Sequence, residues 1–137
     1  MAIIKKIGYR IDPLDLDTRK AIGVRVPFNK KSVFTFNYTT KDQIKSNLIN
    51  LLLTSQGERF HQPEFGIGIR DILFEQNTST NEKINRLKDT INRNVSIFIP
   101  QIKINNISTT NKDNDFILKI VYKVLLDNDT NEVSLKF

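Results

Sequence analysis

The sequence predicts a single α+β domain in which a small mixed or antiparallel sheet packs against two main helices. Apolar residues alternate with polar ones, as in strands, near the start of the chain and again after residue 100. Between these regions, two segments place apolar residues three or four positions apart, as helices do. A chain of 137 residues has room for one core. We expect that core in residues 21–137, preceded by an N-terminal arm or edge segment over residues 1–20.

The composition is typical of a soluble globular protein, with 39% apolar and 26% charged residues. Because the chain has no cysteine, it has neither disulfides nor thiolate metal sites. Its first residues become charged too soon for a secretory signal, and no apolar run approaches the length of about 18 residues that spans a membrane. We therefore expect neither export by such a signal nor membrane insertion.

The formal net charge of +6 raises the question of nucleic-acid binding, but the basic residues are scattered. They occur singly or in pairs, and the pairs at residues 5–6 and 30–31 lie beside predicted turns or ends. Carboxylates are interspersed among them. This distribution favours a solvated surface or an acidic protein partner over a phosphate-binding face, so no nucleic-acid partner is expected.

The first strands are predicted to form a hairpin. Two alternating apolar runs flank the polar segment 29–32, and they contain Ile22, Val24, Val26 and Phe28, then Phe34, Phe36 and Tyr38.

A helix is predicted from about residue 41 to Ser55. Its apolar face contains Ile44, Leu48, Leu51 and Leu52. Thr40 and Gln43 have the spacing of a capping box at its start. Gly57 is placed to end it, because glycine readily takes the left-handed conformation that closes a last helical turn. An irregular but specific loop over residues 58–68 and a short helical turn over residues 69–74 should follow.

A second helix should begin at the capping box formed by Ser79 and Glu82, and Pro100 should end it. Its apolar face contains Ile84, Leu87, Ile91, Val95 and Phe98. After it, a strand with a bulge or phase slip at residues 105–106 leads to a polar turn at residues 111–114.

The next strand, residues 116–126, is apolar on both faces, which predicts that it is covered on both sides. A turn at residues 127–131 then precedes a terminal alternating strand that contains Val133, Leu135 and Phe137.

No metal or cofactor site is expected. His61 is the only histidine, and no cysteine is available to share a metal with it. The segment 127–131 resembles the start of a calcium loop, but Glu132 stands where such a loop needs glycine. No phosphate-loop or dinucleotide motif occurs.

Four carboxylates near the central loop could in principle supply a glycosidase pair, whose members lie about 5–9 Å apart across a sugar cleft. They are Glu58, Glu64, Asp71 and Glu75. Arg59 and Arg70 would tend to keep these acids ionised, and the chain has no tryptophan on which a sugar could stack. Structural ion pairs are the favoured interpretation, and no catalytic residue is assigned. The alternative is a small basic cell-wall hydrolase of the muramidase type.

Residues 51–66 read LLLTSQGERFHQPEFG. This segment resembles the LL-T-x-x-GER-x-x-x-P-x-FG signature of the phage baseplate wedge family that is sometimes labelled tail lysozyme. The family includes the sheath-initiating wedge protein of T-even phages and the corresponding baseplate component of type VI secretion. IGV and PF within residues 22–28, and LFE at residues 73–75, extend the similarity over roughly residues 20–137.

The chain departs from the family pattern at two places. Gln76 follows LFE where the family commonly has proline, and residues 99–101 read Ile-Pro-Gln where it commonly has Glu-Pro-Arg. In relatives, the Glu-Pro-Arg element is associated with gripping the helical bundle at the wedge core. Only Pro100 matches it here.

The resemblance implies a non-enzymatic structural protein with a fold like the core domain of the contractile sheath. Its implied role is to dock on the wedge core of a baseplate and to template the first sheath ring by strand exchange. The implied partners are other baseplate wedge proteins and the tail sheath protein, with neither nucleic acid nor a membrane. The implied location is the tail baseplate of a phage or injection machine, assembled in the bacterial host cytoplasm.

Two sets of candidate site residues follow. Residues that bind a partner or organise the loop are Gly57, Glu58, Arg59, Pro63, Phe65, Gly66, Phe74, Glu75 and Pro100. Residues that pair with a sheath strand are Val133, Leu135 and Phe137. For Glu58 and Arg59, pinning the loop and forming a preformed docking surface are both compatible with the sequence.

Overall fold

The computed structural model describes residues 13–28, 34–76, 79–113 and 115–137. These residues form a mixed α+β structure with two small antiparallel sheets, which confirms the predicted fold class. In chain order, the elements are a 3₁₀ turn at Pro13–Leu16, β1 Gly23–Val24, β2 Phe36–Asn37, α1 Thr40–Leu53, α2 Ile69–Leu73, α3 Thr80–Phe98, β3 Ile102–Lys112, β4 Asp115–Val124 and β5 Thr130–Lys136. None of the described helices is long and apolar enough to span a bilayer.

The predicted N-terminal hairpin forms, but its strands are only two residues long. Gly23 lies opposite Asn37 and Val24 lies opposite Phe36 in an antiparallel pair. Pro27 has no N–H with which to continue the ladder, so β1 cannot extend through it. The predicted turn at residues 29–32 lies outside the described residues, as does most of the predicted arm, residues 1–12.

Helix α1 forms within two residues of its predicted span, but the capping residues predicted at its two ends are wrong. Its N-cap is Thr39, whose hydroxyl accepts the N–H of Asp42, while the backbone N–H and hydroxyl of Thr40 donate to the carboxylate of Asp15. The helix ends at Leu53 because Thr54 is extended, and Thr54 donates its hydroxyl to the carbonyl of Asn50. Gly57 does take a left-handed conformation, with φ of 83°, but in the turn that follows.

The other two helices match their predicted starts and ends. Helix α2 is the short helical turn predicted after the loop. Helix α3 begins with the predicted capping box, in which Ser79 and Glu82 each bind the other's backbone, and it ends at Phe98, just before Pro100.

The second sheet has the strand order β3-β4-β5, with both pairs antiparallel. The register of β3 shifts between Ile104 and Asn106, which confirms the predicted bulge. The predicted turn at residues 111–114 is too long, because Asn111 and Lys112 still pair with β4. Asp113 has φ of 50° in that turn, and Asn114 lies outside the described residues.

The core lies between the helices and the inner face of this sheet. Its fully buried side chains include Leu48, Leu52, Leu87, Ile91, Leu118 and Ile120. On the outer face of β4, Ile117 and Val121 are only half-buried, and Leu125, just beyond the strand, is exposed. The expectation that β4 is covered on both sides is therefore wrong for the described chain, because the helices pack on one face of the sheet.

Candidate functional site

The central loop, residues 55–68, is closed by its own backbone. The N–H of Gly57 donates to the carbonyl of Pro63 across 2.7 Å. The carboxylate of Glu58 accepts the N–H of Ser55 at 2.9 Å, while the N–H of Glu58 donates back to the carbonyl of Ser55. Gly57, Glu58 and Pro63 thus hold the turn that follows α1.

An aromatic stack joins the loop to the end of α3. The guanidinium carbon of Arg59 lies 3.7 Å from the centre of the Phe65 ring, within the range of a cation–π contact. The Phe65 ring meets Phe98 edge-on, with ring centres 5.1 Å apart. Arg59 and Phe65 therefore fix the position of the loop against α3.

The return path of the loop lies against the last turn of α1. The N–H groups of Ile67 and Gly68 donate to the carbonyls of Leu51 and Thr54, at 3.2 and 3.0 Å. Gly66 has φ of 119°, and a Cβ on it would lie 2.5 Å from the carbonyl oxygen of Thr54. Only glycine satisfies both constraints at position 66.

The tip of the loop presents an aromatic pair to solvent. Phe60 is 92% exposed, and its ring contacts the ring of His61 edge-on at 5.2 Å. Pro63 is also exposed. No cluster of metal-ligating side chains occurs among the described residues, so His61 has no neighbours with which to bind a metal.

A groove of about 660 Å³ lies between α2 and α3. Its lining includes Gln56, Arg70, Asp71, Phe74, Arg86 and Arg93. Arg86 donates to the carboxylate of Glu75 at 2.8 Å, whereas Arg70 and Arg93 form no ion pair with any described residue. With Phe74 75% exposed, the groove presents one aromatic ring and two unpaired guanidinium groups.

The arginines of the groove were not among the predicted site residues. Arg86, Thr90 and Arg93 lie four and three positions apart on α3, so helical spacing alone places them on one face. The predicted residue Pro100 lies elsewhere, exposed just beyond the last residue of α3.

The terminal strand β5 lies at an edge of the second sheet. Val133 is buried, and Leu135 and Phe137 are half-buried against the core. Phe116 and Phe137 exchange two backbone hydrogen bonds, at 3.0 and 2.8 Å. Hydrogen-bonded and non-hydrogen-bonded pairs alternate along an antiparallel ladder. Every second residue of β5, counted back from Lys136, therefore directs its N–H and C=O groups away from β4. These outward residues are Glu132, Ser134 and Lys136.

An ion-pair cluster holds the turn before β5. The ammonium of Lys41, in the first turn of α1, lies between the carboxylates of Asp127 and Asp129, with 2.7 Å to Asp127. These hydrogen bonds, first that of Asp127, raise the pKa of Lys41 to about 12. The acidic segment that resembles a calcium loop thus binds a lysine of its own chain.

The four candidate hydrolase carboxylates are all exposed. Glu58 binds a backbone N–H and Glu75 binds Arg86. Arg59 stacks on Phe65, and neither Arg59 nor Arg70 forms an ion pair with a described residue. A glycosidase general acid is usually held in an apolar pocket, whereas these four side chains are exposed.

A family model described as "Baseplate wedge protein gp25" matches residues 39–129, which include the central loop and all three α-helices. The solved structures that share the fold include the following two. A crystal structure of a Geobacter sulfurreducens protein, provisionally named a tail lysozyme, is 19% identical, has a TM-score of 0.63, and covers 72% of this chain and 90% of that one. The cryo-EM structure of the anti-feeding prophage baseplate contains a chain that is 15% identical, has a TM-score of 0.52, and covers 85% of this chain and 81% of that one. No curated protein matches significantly.

Proposed function

This chain belongs to the gp25 family of baseplate wedge proteins, a component of contractile injection systems, and from that membership we propose that it docks on the wedge core and templates the first sheath ring. The observation that carries the templating role is the edge of β5, which pairs with no other described strand than β4. The partners are other baseplate proteins and the sheath protein, and assembly takes place in the bacterial cytoplasm before the tail is complete.

Strand addition at β5 uses the backbone groups of Glu132, Ser134 and Lys136. These three residues offer three donors and three acceptors to an incoming sheath arm. Each backbone hydrogen bond contributes about 0.5–1.5 kcal/mol net, so affinity depends on cooperative pairing and side-chain burial. A ring of such edges would set the register and symmetry of the first sheath ring.

The edge of β5 is a better template than the edge of β3. The ladder of β3 is interrupted between Ile104 and Asn106, and such bulges protect an edge from pairing. The pairing of β5 with β4 is continuous, and two ion pairs, Lys119–Glu132 and Lys136–Asp115, hold the strand in place.

The wedge core docks at the groove between α2 and α3 and at the tip of the central loop. Phe74 and Phe60 are exposed aromatic rings, which are frequent anchors at protein interfaces. Arg70 and Arg93 would supply charged contacts that Ile99 and Gln101, in place of the family's Glu and Arg, cannot make.

Docking is tested by reconstituting wedges from purified baseplate proteins with the double variant Arg70→Ala/Arg93→Ala. We expect this variant to fold and to enter wedges poorly. Arg25 is an exposed arginine just after β1, and Arg25→Ala is the control that should assemble normally. Normal assembly of Arg70→Ala/Arg93→Ala would show that the groove is not part of the interface.

The protein acts without catalysis, because Glu58 and Glu75 are engaged in structural contacts. Purified protein should therefore leave peptidoglycan suspensions turbid, and Glu58→Gln should affect assembly instead. If the purified protein clears the peptidoglycan suspension, and Glu58→Gln abolishes this clearing while Arg59→Ala preserves it, the result would support the hydrolase alternative.

A further inference from the structure

Two lysines face each other across the β3–β4 ladder of the second sheet. Lys103 on β3 and Lys123 on β4 are directly opposite. Neither forms an ion pair with any described residue. Like charges at directly opposite positions destabilise a sheet, so this pair is unfavourable in the isolated chain.

The surface around this pair is the half-exposed outer face of β4. Val121 is half-buried, and Leu125 is 55% exposed. A strand that is apolar on both faces is typical of sheets covered on both sides. Of the other lysines on this face, Lys119 and Lys136 have carboxylate partners, and Lys112 lies opposite Asp115 at the other end of the β3–β4 ladder. Uncompensated positive charge is therefore concentrated beside exposed apolar surface.

We propose that this outer face binds an acidic amphipathic helix of a partner protein. The carboxylates of the helix lie between Lys103 and Lys123, and its apolar side covers Val121 and Leu125. A helix about 10 Å wide fits across three strands spaced about 4.8 Å apart. The charges are the reverse of those at Lys41, where one ammonium lies between two carboxylates.

A helix is favoured over a nucleic acid by the composition of the face. Glu132 and Asp115 lie on the same face and would repel the regularly spaced phosphates of a nucleic acid, whereas a helix can confine its carboxylates to Lys103 and Lys123. Binding on the face does not depend on strand addition at β5, because an added strand bonds in the plane of the sheet and a helix lies above it. The two contacts can therefore be tested separately.

The test measures binding of the full chain to three probes by fluorescence anisotropy. The probes are a synthetic helix with a leucine stripe flanked by glutamates, the same helix with glutamines, and duplex DNA. We expect the glutamate helix to bind and Lys103→Gln/Lys123→Gln to weaken it at least about fivefold. The control Lys45→Gln/Lys88→Gln removes the same charge from helices α1 and α3 and should leave affinity unchanged.

Thermal unfolding provides a second readout. Because Lys103→Gln/Lys123→Gln removes a repulsive pair, its melting temperature should equal that of the wild type or be about 1–4 °C higher. A lower melting temperature would contradict the proposal, as would failure of the glutamate helix to bind or equal binding by both double variants. If the wild-type chain binds DNA but not the glutamate helix, and Lys103→Gln/Lys123→Gln loses the DNA binding, the face is a nucleic-acid surface instead.

Discussion

The side-chain amide of Asn37 donates a 2.9 Å hydrogen bond to the hydroxyl of Ser46, and both residues are buried. The same amide donates to the side-chain oxygen of Gln43 at 3.0 Å, and the Ser46 hydroxyl also accepts the N–H of Val26. The small sheet is therefore held on α1 by a polar network.

Breaking this network should destabilise the protein. Asn37→Ala leaves buried polar groups without a partner and should lower the unfolding free energy by about 1–3 kcal/mol. Ser46→Ala should also destabilise, and the two costs should be non-additive in a double-mutant cycle measured by urea titration. Ser96→Ala, on an exposed turn of α3, is the control. Additive costs would mean that the pair is not coupled.

Truncating a core residue of a helix should cost more than truncating an exposed one. Leu52 and Ile91 are fully buried, so alanine at either position should lower the unfolding free energy by about 2–5 kcal/mol. Ile97 on α3 is 64% exposed, and Ile97→Ala should cost under about 1 kcal/mol. Urea titration measures all three, and a cost below about 1 kcal/mol at Leu52 would place it outside the core.

The two glycines of the central loop should differ in their tolerance of alanine. Gly57 has φ of 83° with no atom within 4 Å of an added Cβ, so Gly57→Ala should cost only backbone strain of about 1–2 kcal/mol. At Gly66, φ is 119° and the added Cβ would lie 2.5 Å from a carbonyl oxygen. Gly66→Ala should therefore cost at least about 1 kcal/mol more. Equal costs in thermal unfolding would contradict this packing.

The cluster at Lys41 should stabilise the protein in a pH-dependent way. The pKa of Lys41 is raised from 10.5 to about 12, so its contribution is complete below pH 10.5 and is lost as the pH rises through about 12. The ammonium is partly exposed, so Lys41→Met should cost only about 0.5–1 kcal/mol at pH 7.

The measurement is the difference in unfolding free energy between wild type and Lys41→Met at pH 7 to 12. Burial also raises the pKa of Tyr122, so both proteins should lose stability above pH 10, and the difference isolates Lys41. A difference that grows toward pH 12 would contradict the assignment.

Local chemistry explains what could be predicted from the sequence. The capping box at Ser79 and the spacing of Ile91 and its neighbours depend on residues within a few positions, and α3 forms as expected. The N-cap of α1 could not be predicted in this way. The local pattern favours Thr40, because Gln43 completes a capping box with it, but Thr40 instead binds Asp15, which lies 25 positions away in the chain.

The same difference between local contacts and contacts distant in sequence applies to the candidate sites. The glycines of the central loop could be predicted as conformationally special, but the contact between Phe65 and Phe98 brings together residues that are distant in sequence. Alternation identified β5, whereas its edge position, and the outward groups of Ser134, follow from the strand order of the sheet.

We propose that sheath assembly begins by strand addition at β5. Deleting the strand would also remove Val133 from the core, so a single substitution is the sharper test. Ser134→Pro removes an outward N–H and places a ring in the path of an incoming strand, without removing a donor to β4. Ser134→Ala keeps the N–H and is the matched control.

The measurement is the fraction of baseplates that carry a sheath, counted by electron microscopy, for wild type and both variants after circular dichroism has confirmed their fold. We predict that Ser134→Ala baseplates initiate sheaths as wild type does and that Ser134→Pro baseplates initiate few. Normal sheaths on baseplates carrying folded Ser134→Pro would contradict templating by this strand.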